Sequence, residues 1–269
     1  MKTVAAIQMA SGPNVDANLI EAGRLIASAA DQGAKLVVLP ENFAHMVNAD
    51  SDLKKIKEPD GTGPIQSFLS KTARKHGIWL VGGTIPLESD ADDLVRSACL
   101  VFNDKGERVA RYDKIHLFDV ELMESNESYT ESKTIQPGTE TVVIGTPFGK
   151  LGLAICYDIR FPELFRQLLE KGAEIFAIPS AFTAITGKAH WDSLVRARAI
   201  ENLCFVVAAA QGGYHVSGRE THGHSMIVDP WGTVLDSLPS GSGTVVADID
   251  SDRLISIRKH FPAIKHRRL

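Results

Sequence analysis

The 269-residue sequence predicts an α/β fold: two mixed sheets facing each other with helices on the outside, a four-layer α-β-β-α sandwich, in one domain over residues 1–269. Three observations lead there. Helix-like and strand-like segments alternate along the chain with stop signals between them. The strand-like segments are short and wholly apolar, as in strands covered on both faces. Finally, Gln32-Gly-Ala-Lys-Leu-Val-Val-Leu-Pro-Glu41 is echoed by Lys171-Gly-Ala-Glu-Ile-Phe-Ala-Ile-Pro-Ser180. Helix end, glycine, buried strand, proline and polar residue recur in the same order, so one α/β layer is built twice.

Residues 16–30 carry Leu19, Ala22, Leu25, Ile26 and Ala29 at helical spacing and stop at Gly33, a glycine suited to a helix end. Residues 35–39 follow as a buried strand. Residues 65–76 repeat the scheme, with Gly77 as the stop and 78–81 as the strand. Asn103-Asp-Lys-Gly106 reads as a hairpin turn between strands at 96–102 and 107–112. An apolar run over 150–155 leads to Cys156, with Pro162 suited to the first turn of a helix. Later strands are expected at 205–210, 223–228, 233–236 and 244–249, with a turn at Asp229-Pro-Trp-Gly232.

Composition narrows the function. Lys and Arg total 29 against 33 Asp and Glu, a net charge of −4, which argues against a nucleic-acid surface. The one basic cluster, Lys265-His-Arg-Arg268, belongs to a tail over 260–269 expected at a subunit contact. Three cysteines, an odd number without regular spacing, suit a reducing compartment, so a cytoplasmic location is expected. The apolar start is too short for a signal peptide, and no later run reaches membrane-spanning length.

Ligands in such sheets bind beyond the carboxyl ends of the strands. Glu41, Cys156 and Ser180 each follow such an end, so one pocket can hold all three. A thiol there is a candidate nucleophile, because a rigid strand end positions it and nearby backbone N–H groups favour a thiolate or an oxyanion. Cys99 and Cys204, set in apolar runs, read as core residues. A thiol needs a base, and Glu41 at the mouth of an apolar strand is a candidate. Lys114, at the end of Arg111-Tyr-Asp-Lys114, is the candidate cation. Each taken alone fits an ordinary cap or surface residue as well.

Other signatures fail. No G-x-S-x-G elbow is present, and Gly145-Thr-Pro-Phe-Gly149-Lys150 is one residue short of a phosphate loop. His222-Gly-His224 places two imidazoles together, but no carboxylate or cysteine stands at matching spacing, so no metal is expected. His116 and His190 lack a motif that would make either the base.

Leu39-Pro40-Glu41, Tyr112-Asp113-Lys114-Ile115-His116-Leu117 and Ile155-Cys156-Tyr157-Asp158-Ile159-Arg160-Phe161-Pro162-Glu163 together resemble the Glu, Lys and Cys motifs of the nitrilase superfamily of carbon–nitrogen hydrolases, in that family's chain order. The likeness runs from Val4-Ala-Ala-Ile-Gln8 to Gly223-His-Ser-Met-Ile-Val-Asp-Pro-Trp-Gly232. It implies an α-β-β-α sandwich, a homodimer or higher homo-oligomer, no cofactor, and a catalytic triad: Glu41 as base, Lys114 and the Tyr157 backbone N–H as oxyanion stabilisers, Cys156 as nucleophile. It also implies a second glutamate between the Lys and Cys motifs, where Glu131 matches best among the several in 121–131.

Within the superfamily, Pro179-Ser-Ala-Phe-Thr-Ala-Ile-Thr-Gly187, Ala189-His-Trp191 and His260-Phe-Pro-Ala-Ile-Lys-His-Arg-Arg268 most resemble the branch holding deaminated glutathione amidase and omega-amidase. That resemblance implies release of ammonia from a small 2-oxo acid amide, with deaminated glutathione preferred. Arg160, Ser180, Phe182, Thr183 and Lys188 are the candidate substrate contacts, by position; Arg160 on its own reads first as an ion-pair partner of Glu163. A general aliphatic amidase, a carbamoyl-amide hydrolase, a nitrilase and a non-catalytic scaffold or binding module are the alternatives.

Overall fold

The computed structural model describes residues 2–46, 50–122 and 127–268. The first half of the chain runs β1 (Lys2–Gln8), α1 (Val15–Asp31), β2 (Leu36–Val38), α2 (Pro64–His76), β3 (Trp79–Val81), β4 (Ile85–Glu88), β5 (Val95–Phe102) and β6 (Arg108–Asp113). A small hairpin follows, β7 (Asp119–Leu122) and β8 (Glu127–Thr130). Then come β9 (Val143–Thr146), β10 (Gly149–Leu153), α3 (Pro162–Glu170), β11 (Ile175–Ser180), α4 (Ala184–Asn202) and β12 (Phe205–Ala210). The chain closes with β13 (Gly212–Tyr214), β14 (Glu220–His222), β15 (Ser225–Val228), β16 (Val234–Leu238), β17 (Gly243–Ile249) and α5 (Ser251–His260).

Two mixed sheets result. One has the order β17-β1-β2-β3-β5-β4 with β6 on β5; the other has the order β16-β15-β12-β11-β10-β9. The echoed segments supply β2 to the first and β11 to the second. The sheets face each other, with β1 against β12 and β2 against β11. Because side chains alternate along a strand, Val4 and Ala6 of β1 enter the core between the sheets, while Ala5 and Ile7 pack with Ala22, Leu25 and Ile26 of α1. On the second sheet, α3 and α4 supply Leu164, Phe165, Trp191 and Val195. Each such large side chain taken fully out of water contributes roughly 1.5–3 kcal/mol. The predicted four-layer arrangement is the one found.

Local signals account for the helix limits. The Asn14 side chain accepts a hydrogen bond from the Ala17 N–H at 3.0 Å to open α1, and Gly33 takes φ +92° beyond its end. Pro64 occupies the first turn of α2, and Gly77, at φ +58°, ends it. Gly106, at φ +76°, sits in the β5–β6 turn where the hairpin is expected.

The structure adds β4, β7, β8, β9, β13 and β14 to the strands read from the sequence, and it departs from that reading in three further places. Helices α4 and α5 are not evident from the sequence, because α4 alternates buried residues with Lys188, His190, Asp192 and Arg196 and lacks a clean apolar stripe. The strand expected at 223–228 starts at Ser225, since Gly223 and His224 both take positive φ, +74° and +53°. The third departure concerns Cys156. Strand β10 ends at Leu153, Cys156–Arg160 forms one 3-10 turn, and α3 begins only at Pro162. Among the described residues, no helix is long and apolar enough to cross a membrane.

Candidate active site

β1 and β2 run parallel in one sheet and β10 and β11 in the other, and residues just beyond the carboxyl ends of β2, β10 and β11 line one cleft. Glu41 follows β2, Cys156 follows β10, and Lys114 follows β6, whose pairing with β5 continues through a Lys114 N–H bond to the Ser97 carbonyl at 3.0 Å. The three side chains line a single cleft, open to solvent, together with Glu131.

Lys114 is the hub. Its Nζ lies 2.7 Å from Glu41 Oε1 and 2.8 Å from Glu131 Oε1, and the Lys114 and Glu41 side chains are only 2% and 4% exposed. Glu131 is held in turn by the Phe118 N–H, which donates to Oε2 at 2.7 Å. Burial opposes the ammonium charge, yet the carboxylates of Glu131 and Glu41 and the thiol of Cys156 together raise the Lys114 pKa well above the ordinary lysine value. Burial, and then the negative charge of Glu41, push the Glu131 carboxyl up, with Lys114 working against them. Of the glutamates between the Lys and Cys motifs, the structure therefore brings Glu131 to the lysine; Glu124 lies outside the described residues.

Burial and the adjacent Glu41 charge push the Cys156 thiol well above its ordinary range, while Lys114 and a backbone contact from Ala181 act in the opposite direction. The resting sulfur is a neutral thiol. A neutral thiol needs a proton acceptor before it can attack, and the Glu41 carboxylate lines the same cleft. The Cys156 backbone takes φ +46°, in the left-handed region, which costs a non-glycine residue about 1–2 kcal/mol. By contrast, Cys99 and Cys204 are core residues as expected, and burial holds the Cys204 thiol up at about 12.

One buried carboxylate locks the sulfur to the lysine. Asp158, fully buried, accepts from the Ile155 N–H at 2.8 Å, the Tyr112 hydroxyl at 2.7 Å and the His116 N–H at 3.0 Å. The His116 Nδ1 lies 2.7 Å from the same carboxylate, and its ring stacks on Phe161. Tyr112 and His116 flank Lys114, whereas Ile155 and Asp158 flank Cys156, so the two motifs are fixed against each other. His116 is thus engaged with Asp158, and His190 sits 3.2 Å from Arg160 Nη1.

The Glu41 segment is held by close backbone packing. Gly83, at φ +55°, approaches Pro40 so closely that a Cβ would lie 2.1 Å from the Pro40 carbonyl oxygen. Gly83→Ala is therefore expected to lower stability by at least about 2 kcal/mol, combining left-handed strain with a forced backbone shift. Denaturant midpoints measure it, and a variant as stable as the parent would show that Pro40 and Glu41 are not pinned there.

Of the candidate substrate contacts, Arg160, Phe182 and Thr183 line the cleft, as does Tyr157. Ser180 and Lys188 do not. Strand β11 continues through Ser180, whose fully buried hydroxyl turns back to the Ile178 carbonyl at 3.3 Å; the chain reaches the cleft only from Ala181 onward. Lys188 is exposed on α4, about 200° around the helix from the lining residue Thr186. Among the described residues, Arg160 makes no ion pair with Glu163. Its guanidinium lies 5.7 Å from the Tyr157 ring centre and 5.1 Å from that of Phe182. The sequence reading missed Arg219, Tyr129, Asn42 and Thr186, none of which belongs to a chemically telling motif.

A group with metal-ligand chemistry stands outside this lining. Asp192 of α4 comes within 3.5 Å of His224 Nδ1, the His222 and His224 rings stack at 4.3 Å, and one ligand atom from each residue lies within 4.8 Å of the others. The carboxylate partner that the sequence lacks at local spacing thus arrives from a helix some 30 residues earlier.

Comparison with known proteins agrees with this geometry. The carbon-nitrogen hydrolase family profile matches residues 3–259. The deaminated glutathione amidase of Yersinia enterocolitica is 42% identical over 266 residues, covering 98% of this chain and 92% of that protein. Saccharomyces cerevisiae Nit3, a nitrilase-superfamily structure, superposes with a TM-score of 0.89 at 34% identity, covering 100% of this chain and 97% of that one. The C. elegans NitFhit protein superposes at 0.90 with 37% identity, covering 99% of this chain and 65% of that longer one.

Proposed function

The chain belongs to the carbon–nitrogen hydrolase family, and from that membership we propose a cysteine-dependent amidase acting on a small 2-oxo acid amide, with deaminated glutathione preferred. The observation that carries this reading is the Lys114 ammonium held between Glu41 and Glu131 in the cleft that also contains Cys156.

Glu41 takes the thiol proton as Cys156 Sγ bonds to the amide carbonyl carbon. Lys114 and the Tyr157 backbone N–H receive the charge on oxygen. The C–N bond breaks as Glu41 returns the proton to nitrogen, leaving a thioester. Water then attacks the thioester, giving up a proton to Glu41, and the C–S bond breaks to free the acid and restore the thiol. Glu131 keeps Lys114 charged and aimed. No step requires a metal or an organic cofactor.

The leaving group depends on the amide. A primary amide such as 2-oxoglutaramate yields ammonia. In deaminated glutathione the same 2-oxo acyl group is joined to cysteinylglycine, and cleavage frees that dipeptide's amino group. Arg160, four residues after the nucleophile and without a carboxylate partner among the described residues, suits the acyl carboxylate. Thr183 and Phe182 complete that wall.

We further assign one domain over 1–269, a cytoplasmic location and a homodimer. Ile200, Trp231 and Phe261, each about half exposed, support the last, since Trp231 and Phe261 touch edge to face and Gly232 abuts Ile200.

The test measures kcat/KM on deaminated glutathione, on 2-oxoglutaramate, and on simple aliphatic amides and nitriles. Deaminated glutathione is expected to lead by at least tenfold. A lead for 2-oxoglutaramate would make the protein an omega-amidase, and a lead for simple amides or nitriles would remove the 2-oxo acid assignment.

A further inference from the structure

Two guanidinium groups face the cleft, and only Arg160 has been given a role. Arg219 enters from β14's preceding loop. Its Nη2 donates to the Ala181 carbonyl at 2.9 Å, and its guanidinium carbon lies 5.1 Å from the Tyr129 ring centre. Ala181, Cys156 and Arg219 line the same cleft. Among the described residues no carboxylate pairs with Arg219, and its Nε is buried without a hydrogen-bond partner. A guanidinium carries five N–H donors in a rigid fork, and leaving a buried donor unpaired costs about 1–3 kcal/mol. A carboxylate is the ligand that satisfies such a fork in bidentate fashion.

Position separates the two arginines. Arg160 belongs to the 3-10 turn that carries Cys156 and Tyr157, and the reading above gives it the acyl carboxylate. Arg219 sits at the rim, flanked by exposed Ser217, Gly218 and Glu220. With the acyl carboxylate on Arg160, the amine side of the substrate is left to this mouth. Resting on the 2-oxo acid amide reading above, we propose that Arg219 is a specificity-determining residue that binds a carboxylate on the amine side of the scissile amide. Deaminated glutathione carries such a group on its glycine, two residues and about 7 Å of extended chain beyond the reacting bond. A primary amide has nothing there.

The experiment compares the parent enzyme with Arg219→Met on three substrates: deaminated glutathione, the same molecule with its glycine carboxylate converted to an amide, and 2-oxoglutaramate. A hydrogen-bonded charge pair of this kind is expected to change kcat/KM by about 10- to 100-fold. The parent should lose that factor, chiefly in KM, when the glycine carboxylate is amidated. Arg219→Met should lose it on deaminated glutathione, show no further loss with the amidated form, and stay within threefold of the parent on 2-oxoglutaramate. Equal losses on deaminated glutathione and 2-oxoglutaramate would make Arg219 a structural residue and overturn the proposal. Indifference of the parent enzyme to amidation overturns it without any variant. Inactivity of the parent on every 2-oxo acid amide would overturn the functional reading itself, and the subsite with it.

Discussion

Cys156→Ala is expected to lower turnover of the preferred amide by at least about 10⁴-fold while leaving substrate affinity within a few-fold of the parent. Removal of a nucleophile abolishes the covalent route entirely, and what survives is the smaller contribution of binding and oxyanion stabilisation. The substitution removes only a sulfur from a side chain that is 8% exposed, and the flanking Ile155 N–H stays bonded to Asp158, so the cleft keeps its shape. Calorimetric titration gives the affinity, and single-turnover assays give the rate. Intact mass after a brief reaction should show the acyl group on the parent protein and no adduct on the variant. Full activity in Cys156→Ala would dismiss the thioester route and the assignment of Cys156 as nucleophile.

Lys114→Met carries the second large effect, and it is expected to strike both activity and stability. Losing an oxyanion donor costs on the order of 100- to 1000-fold in turnover. The substitution also strands Glu41 and Glu131, which share the lysine at 2.7 and 2.8 Å, as two like charges in a buried site. Breaking a buried ion pair from one side costs about 3–5 kcal/mol. The pH dependence has a definite sign. Burial already raises the Glu131 carboxyl above its ordinary value, and without Lys114 only the Phe118 N–H opposes the rise. The folded variant then binds protons more readily than the unfolded chain, so its stability falls as pH rises from the ordinary carboxyl range through the raised value. Lys114→Met should therefore recover stability relative to the parent on acidification, as read by melting temperature between pH 5 and 8. A pH-independent deficit would place the cost in packing rather than charge.

Much of this site can be read from the chain because its chemistry is local. Leu39-Pro40-Glu41 is a buried strand with a carboxylate at its mouth, and the neighbourhood of Cys156 joins an apolar strand to a polar turn and Pro162. Alternation and glycine stops mark α1, α2 and the β5–β6 hairpin for the same reason: each depends on residues within one or two turns of one another. Where helix amphipathicity is blurred, as in α4, the reading fails. Ser180 shows a second limit. A strand that runs two residues further than expected, through Pro179 and Ser180, holds a hydroxyl in the sheet's packed core instead of releasing it to the cleft.

By itself the sequence determined which reactive groups stand beyond the ends of buried strands and the order in which they are strung, since hydrophobic period, turn residues and reactive side chains are properties of short segments. Only the tertiary structure decided what each group meets: Lys114 between two carboxylates, Asp158 bonding across 46 positions to Tyr112, and Arg219 over Tyr129 beside the Ala181 carbonyl. Those encounters depend on sheet register and on the packing of one sheet upon the other. The free energy that sets them is spread over the whole core, so no short stretch of residues records it.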